Sequence, residues 1–273
     1  MKTHSLQDLK DSFAPSNRMP VVFLGHGSPM NVIEDNKYSR AWSDLGQSLP
    51  RPKAILVVSA HWMTKGTTLV DVSAMPRTIH DFYGFPKSLY EQQYPAHGNP
   101  ELASEAVALL ASHRAQEDDT WGLDHGAWAV LKFLYPEADV PVFQVSVDMA
   151  RDLDHQLEIG LALSALRDRG VLILGSGNVV HNLREMHAGS EPRDFALEFD
   201  TLFSDRLTDR DFTALGDRKA LGTLLTRAHP TVDHYLPALT IAGASDSQDE
   251  LTFMTDAIDL GSVSMRSFVF HRA

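Results

Sequence analysis

Val21–Met30, VVFLGHGSPM, is an apolar run that stops at a histidine set between two glycines. Val21, Val22, Phe23 and Leu24 read as a short buried strand, because β-branched and aromatic side chains suit a pleated surface and the run ends in turn chemistry. Gly25 and Gly27 let the backbone bend on either side of His26 and let another group come close. Open α/β sheets gather ligands at the C-terminal mouths of their strands, which is where His26 would sit. Ala54–Trp62, AILVVSAHW, repeats the arrangement with His61. Two parallel strands that deliver imidazoles to one sheet edge would supply half of a metal site, since neutral imidazole suits iron, zinc, copper and nickel.

Outward from these two strands, apolar runs alternate with amphipathic stretches. Helices are expected around Trp42–Leu49, over Pro100–His113 and over Asp152–Asp168, the last ending at Gly170. Strands are expected at Leu69–Val72, Val140–Val147 and Val171–Leu174, with Ser262–Phe270 returning to the sheet. Phe195–Leu215 and Ala220–Ala244 read as mostly helical, broken at Pro230 and again at Pro237. The alternation predicts an α/β fold. It should form one domain, with a central, largely parallel or mixed β-sheet flanked by helices on both faces. Residues 1–18 are expected to form a flexible arm and residues 19–273 the catalytic domain.

Composition narrows the chemistry. With 273 residues and 43% hydrophobic content the chain can bury a substantial core. Cysteine is absent, so any metal must be held by nitrogen and oxygen. A net charge of −12 argues against nucleic acid or an anionic membrane as partner. No stretch reaches the roughly 20 apolar residues of a membrane span, and the N-terminus lacks the apolar core of a secretory signal. A cytoplasmic location is therefore expected.

Three more of the 13 histidines share the context of strand ends and glycine-rich turns. His181 follows Gly175-Ser176-Gly177, a turn that could set backbone N–H groups against an anion. His125 lies in WGLDHGAW and His234 in TVDHYLP. His80, in TIHDFYGFP, has aromatic surroundings that could line a pocket for a planar ligand. His113, His155 and His187 read as solvated surface groups, His4 and His271 as terminal, and His97 and His229 as members of proline-containing loops.

Taken together, LGHGSPMNV, SAHW, TIHDFYGFP, WGLDHGAW, GSGNVVHNL and DHYLPAL resemble, in order, the motifs of the class III extradiol ring-cleavage dioxygenases, in the 4,5-DOPA dioxygenase extradiol branch. The resemblance runs from Met19 to Phe270. It implies O₂-dependent opening of a catechol ring, with L-DOPA or a related substituted catechol as substrate, at a non-haem metal. It also implies that His26, His61 and His234 are metal ligands, and that His181 is either a further ligand or the acid–base histidine. His125 would exchange protons with substrate. Where typical class III enzymes use glutamate as third ligand, this chain has His234, with Asp233 beside it. Adjacent side chains on an extended segment point opposite ways, so one of the two should reach the metal.

Fe(II) is the cofactor expected for activity, and Zn(II) a plausible occupant of a purified sample by the divalent affinity order. His80 and Arg184 are the expected substrate contacts, with Arg77 a further candidate for a carboxylate. Two other readings use the same residues. One is a zinc hydrolase, which would need Asp124 or Asp233 as general base. The other is a non-catalytic metal-binding or redox protein resembling the Memo family.

Overall fold

The structure, a computed structural model, describes residues 18–189 and 191–272; the expected N-terminal arm lies almost wholly outside them. The strands are β1 (Val21–Gly25), β2 (Ala54–Thr64), β3 (Leu69–Asp71), β4 (Gln116–Asp118), β5 (Val142–Asp148), β6 (Val171–Gly177), β7 (Glu250–Thr255), β8 (Ile258–Asp259), β9 (Val263–Ser264) and β10 (Ser267–His271). Eight of them form one sheet in the order β4-β3-β5-β2-β6-β1-β10-β7. The centre, β5-β2-β6-β1, is parallel, whereas β10 and β7 add antiparallel at one edge and β3 is antiparallel to β5. The sheet is therefore mixed, around a parallel core.

The central strands are apolar at nearly every position because both faces are covered. Val21, Phe23, Leu56, Val58 and Ile173 join a core on one face, and Val22, Leu24, Ile55, Val57, Leu172 and Leu174 a core on the other. On the first face lie α5 (Asp154–Leu163), α6 (Asp194–Thr208) and α9 (Leu236–Ala244); on the second lie α1 (Lys37–Ser48) and α4 (His125–Leu134). Between them the chain forms α2 (Lys87–Tyr90), α3 (Pro100–Leu109), α7 (Phe212–Leu215) and α8 (Arg218–Ala228).

Several expectations need correction. Pro237 does not break a helix but stands in the first turn of α9, where a missing N–H costs nothing. The helices at 100–113 and 152–168 are shorter, and each passes into a 3-10 segment, Ala111–His113 and Ser164–Arg169. Gly175-Ser176-Gly177 is not an anion-binding turn; it is the last part of β6. The terminal strand covers only Ser267–His271, because Val263–Ser264 pairs separately with β8. His155, His229 and His271 are buried.

Candidate metal centre

The parallel strands carry two of the expected histidines to one edge. His26 follows β1 directly, and its N–H donates to the Gly177 carbonyl at the end of β6. His61 is aimed by an irregularity in β2. Val58 pairs with Val145 and Met63 with Val147, so β2 holds three more residues than β5 over that span, and the strand bulges where Ser59–Trp62 lie. His125 opens α4, whose N-cap is Asp124. His181 is fixed by a bridge to Val263 and by its N–H on the Ala228 carbonyl. His234 precedes α9, and its carbonyl accepts from Asn178 N–H at 2.9 Å.

Two glycines make this convergence possible by omitting a side chain. A Cβ on Gly177 would stand 2.3 Å from the His234 carbonyl oxygen, and one on Gly126 would stand 2.4 Å from Ser59 Oγ and 2.9 Å from the His61 ring. Both distances are far inside van der Waals contact, so β6 and α4 can approach the histidines only with glycine there.

The rings of His26, His61 and His234 form a triangle with centroid separations of 5.2, 5.2 and 5.0 Å. Each ring is held from behind through Nδ1. His26 Nδ1 lies 2.9 Å from Ser176 Oγ, which itself donates to the Gly126 carbonyl at 2.5 Å, so the imidazole is the donor. His61 Nδ1 lies 3.2 Å from Asp81 Oδ2, and His234 Nδ1 lies 2.5 Å from Asp233 Oδ2. With the protons on Nδ1, His26 and His234 each offer a bare lone pair at Nε2. His26 Nε2 and His61 Nε2 face each other at 3.4 Å. That is the spacing of two nitrogens bound tetrahedrally to one ion at about 2.0–2.1 Å. The donor set therefore fits a divalent cation held by imidazole.

The fourth and fifth histidines flank this triangle. His125 lies against His61 with centroids 3.9 Å apart, and its Nδ1 and backbone N–H both bond Asp81, at 2.9 and 2.8 Å. His181 stacks on His234, centroids 3.5 Å apart and planes within 7°. Phe82 meets the His125 ring edge-on at 5.5 Å and packs against Phe85 and Tyr90, giving the site an aromatic wall.

Burial favours the neutral form of His26, His61, His181 and His234. It lowers His61 to about 3 and His181 to about 4, and holds His26 and His234 well below the usual value, with neighbouring histidines adding to the effect in His26, His61 and His234. Burial alone would raise Asp81, but the hydrogen bond from His125 and the proximity of the His125 and His61 imidazoles outweigh it and bring the carboxyl to about 2. Neutral imidazole is the form that binds metal. The unfolded chain, with histidines near 6.5, takes up more protons than the folded chain once the pH drops below that value, so stability falls with pH from there toward the folded values. For metal-free protein, denaturant unfolding should show each such histidine costing about 1.4 kcal/mol per pH unit between pH 6 and 5. A stability that stays flat from pH 7 to 5 would contradict this.

Other expected residues lie apart from the cluster. His80 Nε2 is bonded to the Gln92 carbonyl at 2.8 Å, with its ring among Phe82, Tyr90 and Trp128. Arg184 is exposed in the 3-10 turn Leu183–Glu185, and Arg77 donates to the Trp121 carbonyl at 3.0 Å. Asp124 is committed to capping α4 and to bonds from Ser59, Trp121 and Gln144, so it is not placed as the base that a hydrolase would need. Asp233 bonds His234 through Oδ2, and its Oδ1 is buried without a hydrogen-bond partner. Asp81 and Ser176 were not singled out by the sequence. Asp81 adjoins His80 in the aromatic motif, and a carboxylate beside a cluster of histidines was the available signal.

Residues 20–269 match the family described as the catalytic LigB subunit of aromatic ring-opening dioxygenase. This chain belongs to that family. Among the relatives of the LigB chain are proteins named 4,5-DOPA dioxygenase extradiol. One from Escherichia coli K12 is 46% identical over 95% of this chain and 97% of its own length. One from Beta vulgaris is 37% identical, over 93% and 97%. The crystal structure of an uncharacterized E. coli K12 protein superposes with a TM-score of 0.78 at 42% identity, over 92% of this chain and 99% of that one. The protein is an extradiol ring-cleavage dioxygenase, a non-haem metal enzyme whose reactants are a small aromatic molecule and O₂. Among the described residues no helix is long and apolar enough to cross a membrane.

Proposed function

We propose that this LigB-family enzyme opens the ring of L-DOPA or a closely related catechol, with Fe(II) held by His26, His61 and His234. The observation that carries the reading is the triangle of three rings, those of His26 and His234 buried and that of His61 half-buried, each with a polar partner at Nδ1. When bound, a ferrous ion with open positions supplies the Lewis acidity and redox chemistry that bring a catechol and O₂ to reaction.

The remaining residues divide the proton work. The His181 ring stacks on that of His234 with centroids 3.5 Å apart, and it lies outside the triangle of His26, His61 and His234 that would hold the ion. This favours His181 as the base that takes a catechol proton, its neutral form assured by burial. His125, with Nδ1 tied to Asp81, presents its other nitrogen to the site as the acid that returns a proton. Phe82 and its aromatic neighbours give the planar ring an apolar face and exclude water.

The test is anaerobic reconstitution with Fe(II), addition of L-DOPA and then oxygen. Appearance of the yellow ring-opened product in step with O₂ uptake supports the reading. Metal loading without product from any catechol would overturn it.

Asp81 should act through the histidines it holds. Asp81→Asn keeps the shape and removes the charge, so metal affinity is expected to fall about 10–100-fold and kcat to fall with it at saturating metal, because His61 and His125 lose the carboxylate that orients them. Unchanged affinity together with an unchanged kcat would contradict that role.

A further inference from the structure

Away from the metal centre, His113, His155 and Glu158 converge on one point. His155 and Glu158 stand three residues apart on α5 and so share a face. His113 ends the 3-10 turn after α3 and brings its ring to 5.2 Å from that of His155, edge to face. Glu158 Oε2 lies 3.9 Å from His113 Nδ1 and 3.8 Å from His155 Nδ1. Both distances are too long for hydrogen bonds, and both are within the span that one ion bound at about 2.0–2.2 Å to each atom can bridge. All three offer ligand atoms within 4.8 Å of one another.

The His155 ring is the second observation. Its residue is only 8% exposed, and its Nε2 is buried with no hydrogen-bond partner. Among the described residues neither of its nitrogens has a hydrogen bond. Buried imidazoles ordinarily have one, and this ring instead faces Glu158 through Nδ1, at 3.8 Å, with no hydrogen bond to account for its burial. Arg151, a charged neighbour of His155, is itself faced by Asp148 at 3.8 Å. Two imidazoles and one carboxylate, with Glu158 open to solvent, are a donor set known to suit zinc with a water in the fourth position.

We propose that His113, His155 and Glu158 form a second, independent divalent-cation site that takes Zn(II) and ties the turn after α3 to α5. The ion does not take part in ring opening, because the site shares no residue with the triangle of His26, His61 and His234.

The test is a zinc titration of chelator-stripped protein, with bound metal measured after equilibrium dialysis. Wild type should take up two equivalents per chain. His113→Ala and Glu158→Gln should each take up one, the second affinity falling at least about tenfold, while Fe(II)-supported ring opening is unchanged. Both residues are partly exposed, so neither variant threatens the core, and unchanged turnover confirms the fold. One equivalent in wild type, or two in His113→Ala with undiminished affinity, would overturn the proposal. This outcome is separate from the oxygenase assay, since zinc uptake is read without catalysis.

Discussion

His125→Ala is expected to bind its metal as wild type does and to open the ring about 10²–10⁴-fold more slowly, the range that a positioned general acid contributes. The two readouts separate because the His125 ring is held by Asp81, not by the bare nitrogens of the triangle. Removing the ring deletes the proton donor and leaves the Nδ1 contacts of His26 and His234 intact. Burial of His125 against Phe82 adds a control. His125→Gln keeps much of that packing and should be equally slow, whereas a purely packing role would be partly rescued. Metal content would be measured by elemental analysis and turnover by the absorbance of the product. Turnover within a few-fold of wild type would remove His125 from the mechanism.

His234→Ala should lose the metal itself. One of three rings vanishes from a triangle whose sides are 5.0–5.2 Å, and two imidazoles alone hold a ferrous ion poorly. Activity should drop to background at metal concentrations that saturate wild type. Asp233→Asn offers a graded comparison, because it keeps the ring and weakens only the partner that orients it at 2.5 Å. A loss of about 10–100-fold in affinity is expected there. His181→Ala, by contrast, should retain metal and lose rate. If His181→Ala releases the metal and His234→Ala keeps it, the assignments of the two stacked rings must be exchanged.

These contrasts show where sequence patterns carry information. His26 and His61 were legible because an uninterrupted apolar run of strand length can only be a buried strand, and such a strand has an end. His125, His181 and His234 were legible as members of motifs, not as neighbours. Nothing in their spacing says that α4, β9 and α9 meet. Asp81 adjoins His80, and only three-dimensional structure shows which of two adjacent side chains turns toward the cluster. Ser176 was read as part of a glycine turn because glycine flanks it on both sides. In the fold Gly175 makes room for α9 at Pro237 and Ile241 and Gly177 for the His234 carbonyl, and the serine hydroxyl orients His26. His155 looked like a surface residue for a similar reason: on a helix with polar neighbours, burial depends on what packs against it, here the turn that carries His113.

Secondary structure divides along the same line. The parallel core strands announce themselves by composition. β4 does not, since Gln116 and Glu117 are exposed and polar and the strand owes its conformation to the neighbour it pairs with. Pro237 was ambiguous in principle, because the same residue that ends one helix is favoured at the start of the next.

The most direct measurement is a crystal structure of the anaerobic Fe(II) form with a catechol bound. Iron should lie about 2.0–2.2 Å from Nε2 of His26, His61 and His234, with His181 and His125 facing the catechol beyond coordinating distance. Iron bound through His181 or His125, or a metal displaced from the His26–His61 pair, would contradict the account.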